Sequence, residues 1–86
     1  MQTAYFLRRR SRIYPNPSKG LLNIDLQKTY NNVGIDVINI LGQRTQTFAF
    51  DTFSKKKITI KGATGIYFIR INSEDGLSLT KKIILN

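Results

Sequence analysis

Group-transfer catalysis needs a nucleophile, a base held beside it and a site that stabilises developing negative charge. This chain of 86 residues contains no histidine and no cysteine. That removes the usual nucleophile–base pairs and every Cys/His metal site. A serine–lysine arrangement is conceivable at Ser54 beside Lys55, Lys56 and Lys57. The surrounding sequence offers neither a held base nor an oxyanion pocket, so 51–57 reads as a polar, basic loop. The five acids, Asp25, Asp36, Asp51, Glu74 and Asp75, are scattered and form no paired-carboxylate site. Gly62 and Gly65 lack the spacing of a phosphate-cradling loop, and no helical pattern follows them. The expectation is a non-catalytic chain with no cofactor, no metal and no small-molecule substrate.

The formal net charge is +9, which raises the question of nucleic acid. Arg8, Arg9, Arg10 and Arg12 crowd the first residues, where no acid stands. From Ile13 onward ten basic residues face five acids, so that part is only moderately basic. Base-stacking aromatics should be interleaved with the basic residues. Here Phe48, Phe50, Tyr67 and Phe68 lie in strand-like segments, and the basic runs lie in a loop and a tail. A small domain needs its large apolar groups for its core. The aromatics are therefore expected inside, and no nucleic-acid partner is expected.

The elements that must position these residues are strands. Val, Ile, Thr, Tyr and Phe are frequent from residue 21 on, and turn residues recur roughly every eight to twelve positions, the spacing of a sandwich or barrel. No stretch sustains a helical apolar period. No apolar run approaches the ~20 residues of a membrane-spanning helix. At the N-terminus Ala4–Leu7 precedes the arginines, the reverse of a signal peptide. Residues 1–12 read as a basic tail or linker remnant, and 13–86 as one domain.

Within that domain Pro15, Asn16 and Pro17 predict an extended segment that turns by Gly20. The spacing predicts short strands over 21–26, 33–41, 45–50, 57–60, 66–72 and 77–85. Tyr30–Asn32 reads as a turn, and Gly42 as the glycine that closes the second strand. Ser73–Gly76 reads as a hairpin turn, with Asp75-Gly76 supplying the positive-φ positions. In the last strand Ile83 and Leu85 share one face, and Thr80 and Lys82 the other. Lys81 and Lys82 there suit edge protection as well as recognition. Gly65-Ile66-Tyr67 at the start of a late strand resembles the tyrosine corner of immunoglobulin-like domains, whose buried tyrosine hydroxyl bonds back to the chain.

Four segments in order resemble one family. They are IYPNPSKG (13–20) with LLNIDL, then IDVINILGQ (35–43), GIYFIRI (65–71) and the terminal TKKIILN (80–86). This series is similar to the C-terminal sorting domain, type A, of the type IX (Por) secretion system of Bacteroidetes. The resemblance implies an immunoglobulin-like antiparallel β-sandwich of about six to seven short strands. It implies a domain read by the type IX outer-membrane translocon, then removed by a sortase-like peptidase. Its cargo, covalently joined on the N-terminal side, would pass through the periplasm to the cell surface or the medium. By motif, recognition would fall on Gly65, Ile66, Tyr67, Thr80, Lys81, Lys82, Ile83, Ile84, Leu85 and Asn86. Pro15, Asn16, Pro17, Gly20, Gly42 and Tyr67 would be structural. One departure stands out: the family usually has a leucine where this chain has Ala63, which predicts thin packing there. The competing reading is an immunoglobulin-like adhesion or carbohydrate-binding module using loop aromatics such as Tyr30 and Phe53.

Overall fold

A computed structural model of the protein describes residues 11–86; of the basic tail, Met1–Arg10 lie outside the described residues. The elements are β1 (Arg12–Tyr14), β2 (Leu21–Asn39), β3 (Arg44–Thr59), β4 (Gly65–Ser73) and β5 (Ser78–Leu85). All pairings are antiparallel, in one sheet with path β1-β2-β4-β5 and β3 paired along the other side of β2. Among the described residues no helix is long and apolar enough to cross a membrane.

The all-β antiparallel expectation holds, and the strand count differs from it. Five strands form a curled sheet, because segments read as separate strands run on into one another. Residues 21–26 and 33–39 are two ends of β2. The bend between them falls at Gln27, with φ 66°, whose N–H is held by the Asp25 carboxylate at 2.9 Å. The β2–β3 register slips there, passing from Asp25↔Lys55 to Tyr30↔Phe53.

Residues 51–57, read as a loop, lie inside β3. Pairing with β2 carries the chain through them, and Phe53 anchors the middle of the strand at 1% exposure. β3 curls as well. The Gln46 side chain donates to the Thr59 carbonyl at 3.2 Å and accepts from the Lys61 N–H at 2.8 Å. Thirteen residues of straight strand would span roughly 40 Å, so this contact requires β3 to curl back on itself.

Tyr30–Asn32 likewise belongs to β2. Its asparagines meet the β4–β5 hairpin turn: Asn31 N–H and Asn32 Nδ2 donate to the carboxylates of Asp75 and Glu74, at 3.2 and 2.7 Å. The two turn acids thus fix the hairpin against β2. The second strand ends at Asn39, two residues earlier than read. Asn39 Oδ1 accepts from the N–H groups of Leu41 and Gln43, and Gly42 completes the turn with φ 86°. Ile40 and Leu41 consequently stand in solvent at 68% and 79% exposure.

The concave side holds one core. Leu22, Ile24 and Leu26 come from the first half of β2, and Val33, Ile35 and Val37 from its second half. Phe53, Ile58 and Ile60 join them, as do Tyr67, Ile69 and Ile71 of β4 and Ile83 and Leu85 of β5. Alternation along each strand sends these side chains inward and their neighbours outward.

Candidate functional site: the clamped terminal strand

Two segments singled out in the sequence pair with each other. Gly65 lies opposite Leu85, Ile66 opposite Ile84, and Tyr67 opposite Ile83, in an unbroken register that continues to Asn72 opposite Ser78. Tyr67, Ile83 and Leu85 point into the core. Ile66 and Ile84 face outward at 36% and 40% exposure, beside the half-buried Phe68. Next along the outer face are Lys82 opposite Phe68, then Thr80 opposite Arg70. Arg70 is tied to Asp36 at 3.5 Å, and Arg44 reaches the same carboxylate at 3.9 Å. Lys81 shares the inward parity of Ile83 yet is exposed, so the two terminal lysines lie on opposite faces of one strand.

The third segment, Pro15–Gly20, closes the far side of the same strand. Both X–Pro bonds, Tyr14–Pro15 and Asn16–Pro17, are cis. The Asn16 side chain donates from Nδ2 to the Lys82 carbonyl at 3.0 Å and accepts at Oδ1 from the Ile84 N–H at 2.9 Å. Its amide thereby reproduces the donor–acceptor pair of a strand residue. Ser18 continues the pairing through its backbone. Its N–H donates to the Ile84 carbonyl at 2.8 Å, and its carbonyl accepts from the Asn86 N–H at 2.8 Å. The sequence reading left β5 as an open edge throughout; from Lys82 O to Asn86 that edge is occupied.

Ser18 itself is buried at 1% exposure. Its hydroxyl donates to the Leu21 carbonyl at 2.8 Å and accepts from the Gly20 N–H at 2.9 Å. Gly20, at φ +132°, in turn accepts from the Ile60 N–H at 2.8 Å. Ser18→Ala leaves the Gly20 donor unpartnered in a dry place, which costs about 1–3 kcal/mol. Urea unfolding of the variant is expected to move its midpoint down accordingly with an unchanged m-value. Sequence reasoning passed over Asn16 and Ser18 as clamp residues because their partners lie more than sixty positions away.

Tyr67 meets the expectation drawn from its motif. Its ring is buried and its hydroxyl donates to the Ala63 carbonyl at 2.7 Å. Ala63 is exposed and contributes that carbonyl, so the missing leucine leaves no gap in the core.

The other candidate chemistry lies elsewhere. Ser54 is half-buried within β3. Lys56 Nζ sits over the Phe50 and Phe53 rings at 5.5 and 5.9 Å. Phe48 and Phe50 pack against the core as expected, whereas Phe68, expected inside with them, lies half-buried on the outer face opposite Lys82, because the alternation of β4 turns Tyr67, Ile69 and Ile71 inward. Of the pair offered for a carbohydrate module, Phe53 is core and Tyr30 lies half-buried under Lys28 at 5.3 Å.

Fold and site define a small all-β module that clamps its own C-terminal strand and presents the outer face of that strand. The family model of the secretion system C-terminal sorting domain matches residues 12–86, and the chain belongs to that family. It is the C-terminal sorting domain recognised by the type IX (Por) secretion system. No curated protein matches the chain.

Proposed function

We propose that this chain is a non-catalytic address of type A, read by the type IX outer-membrane translocon through β4 and β5. The reading surface is the terminal strand Thr80–Asn86 together with Gly65, Ile66 and Tyr67. Cargo joined on the N-terminal side, through the basic segment 1–12, crosses the periplasm and reaches the cell surface or the medium. A sortase-like peptidase then removes the domain. The observation that carries this reading is the convergence of three sequence motifs on one strand: GIY pairs with its inner edge, and PNPS clamps its outer edge. An immunoglobulin-like fold draws support from the Tyr67–Ala63 bond and from the register slip that interrupts the β2–β3 pairing between Asp25 and Tyr30.

The test is a reporter carrying a signal peptide and followed by the full chain, expressed in a bacterium with a type IX system. Reporter at the surface or in the medium is expected with the chain and not without it. Equal delivery of the bare reporter contradicts the proposal.

A further inference from the structure

We infer that the short open stretch of β5, Ser78 to Lys82, is a strand-addition site for an extended segment of a partner protein that carries carboxylates opposite Lys81 and Lys82. This rests on the sorting reading above and specifies which part of the strand is read through its backbone.

In an antiparallel pair, alternate residues turn both N–H and C=O toward one neighbour, and the residues between turn theirs away. Lys82 O, Ile84 N and Ile84 O are bound by Asn16 and Ser18 on the side away from β4. The β4–β5 register is unbroken from Gly65↔Leu85 to Asn72↔Ser78. Ser78 and Thr80 therefore aim their N–H and C=O groups at that same outer side, as Lys82 does its N–H. Among the described residues none of these groups has a partner. The edge is thus divided. Asn16 and Ser18 occupy its last residues, and among the described residues a row of unpartnered donors and acceptors remains from Ser78 to Lys82. Such a row is what an incoming strand binds.

The charges select the occupant. Lys81 and Lys82 flank the open row on opposite faces, and neither has an acid within ion-pair distance among the described residues. Asp36, in the cross-strand row of Arg70 and Thr80, is already shared by Arg44 and Arg70. Cross-strand neighbours of opposite charge stabilise a pair, and like charges oppose it. A second copy of this chain would bring four lysines onto one seam, the arrangement by which edge strands avoid self-association. An extended segment with acidic residues at adjacent positions satisfies both lysines and the backbone row together.

The experiment uses the full chain behind the signal-peptide reporter, with each purified variant also melted by circular dichroism. Thr80→Pro deletes the one N–H at the centre of the open row. That donor serves no bond to β4, so proline at this edge position is compatible with the fold. Thr80→Val changes the side chain and keeps the N–H. Thr80→Pro is expected to deliver at least about tenfold less than Thr80→Val, since both lose the hydroxyl and only proline loses the N–H and adds a steric block. Lys81→Glu with Lys82→Glu leaves the backbone row in place and is expected to lose delivery to a similar extent. If Thr80→Pro proves unfolded in the melt, the lysine double variant decides. Delivery unchanged in a folded Thr80→Pro, or unchanged in the double variant, overturns the strand-addition site and leaves the sorting reading standing. Failure of the unaltered chain to deliver overturns the sorting reading, and the site with it. Dimerisation of the purified chain that Thr80→Pro abolishes would overturn the acidic partner in favour of a second copy.

Discussion

Replacing Ile83 by alanine is expected to destabilise the domain by about 2–5 kcal/mol, the range for truncating a large buried aliphatic side chain. Ile83 is 1% exposed and lies opposite Tyr67 in the β4–β5 pair. A domain of this size has a total stability toward the low end of about 5–15 kcal/mol, so the variant stands near its unfolding threshold. The adjacent Ile84→Ala is the control. Ile84 is 40% exposed on the outer face, and its truncation is expected to cost under about 1 kcal/mol. Urea or thermal unfolding of the two variants measures the difference, and equal losses would contradict the assigned register. Deletion of the last residues is governed by the same physics. Removing Ile83–Asn86 takes out two core side chains and the strand that Asn16 and Ser18 hold. Such a deletion is expected to unfold the domain, so loss of export by a truncated chain reports folding as much as recognition. Point variants on the outer face and the open edge separate the two.

Gly62→Ala is expected to cost about 2–4 kcal/mol, for two reasons. Gly62 holds φ +151°, where a side chain brings strain of about 1–3 kcal/mol. A Cβ there would also stand 2.5 Å from the Tyr67 hydroxyl oxygen, forcing the ring or the turn to shift and weakening the Tyr67–Ala63 bond. Tyr67→Phe removes that hydroxyl and is expected to cost about 0.5–1.5 kcal/mol, the net worth of its bond to the Ala63 carbonyl. The double variant is expected to lose less than the sum, since the second change removes the atom that the new methyl group meets. The strain at positive φ should persist in it. Strict additivity, measured by denaturant unfolding of all four proteins, would show that the contact plays no part.

Period-two patterns located most of the core. Leu22, Ile24 and Leu26, Ile35 and Val37, Tyr67, Ile69 and Ile71, and Ile83 and Leu85 all alternate in sequence, and all are buried. The Ser73–Gly76 hairpin turn and the bond from the Tyr67 hydroxyl back to the chain were legible too, because each depends on a few adjacent residues; the expected positive φ falls on Gly76 alone, at 97°, and not on Asp75, since the turn bonds Gly76 N–H back to the Ser73 carbonyl. The merging of short strands into β2 and β3 was not. Tyr30 and Asn31 are held extended by pairing with Phe53 and Thr52, and Lys55–Lys57 by pairing with Asn23–Asp25, and neither polar segment carries a strand signal alone. Tertiary pairing outweighs local propensity in such places. Ile40 was misread for the converse reason. It fits the apolar pattern of β2, but the Asn39 side chain captures the following N–H groups and turns the chain outward.

The site divides in the same way. Its two halves, GIY and TKKIILN, were visible as motifs. Their mutual pairing and the Asn16–Ser18 clamp were invisible, because a side-chain amide that substitutes for a strand leaves no periodic trace. The clamp also explains why proline-flanked Asn16 occurs so far from the strand it completes. The loop between β1 and β2 returns to the C-terminus, and among the described residues the edge from Ser78 to Lys82 is left unpaired.

The central claim is that this folded module is an address for one secretion machine. The most direct measurement is the amount of reporter that the full chain delivers outside the cell in two otherwise identical hosts, one with the type IX translocon and one without it. The account predicts reporter at the surface or in the medium of the first host and retention in the periplasm of the second. Equal delivery in both hosts, or retention in both, would contradict it.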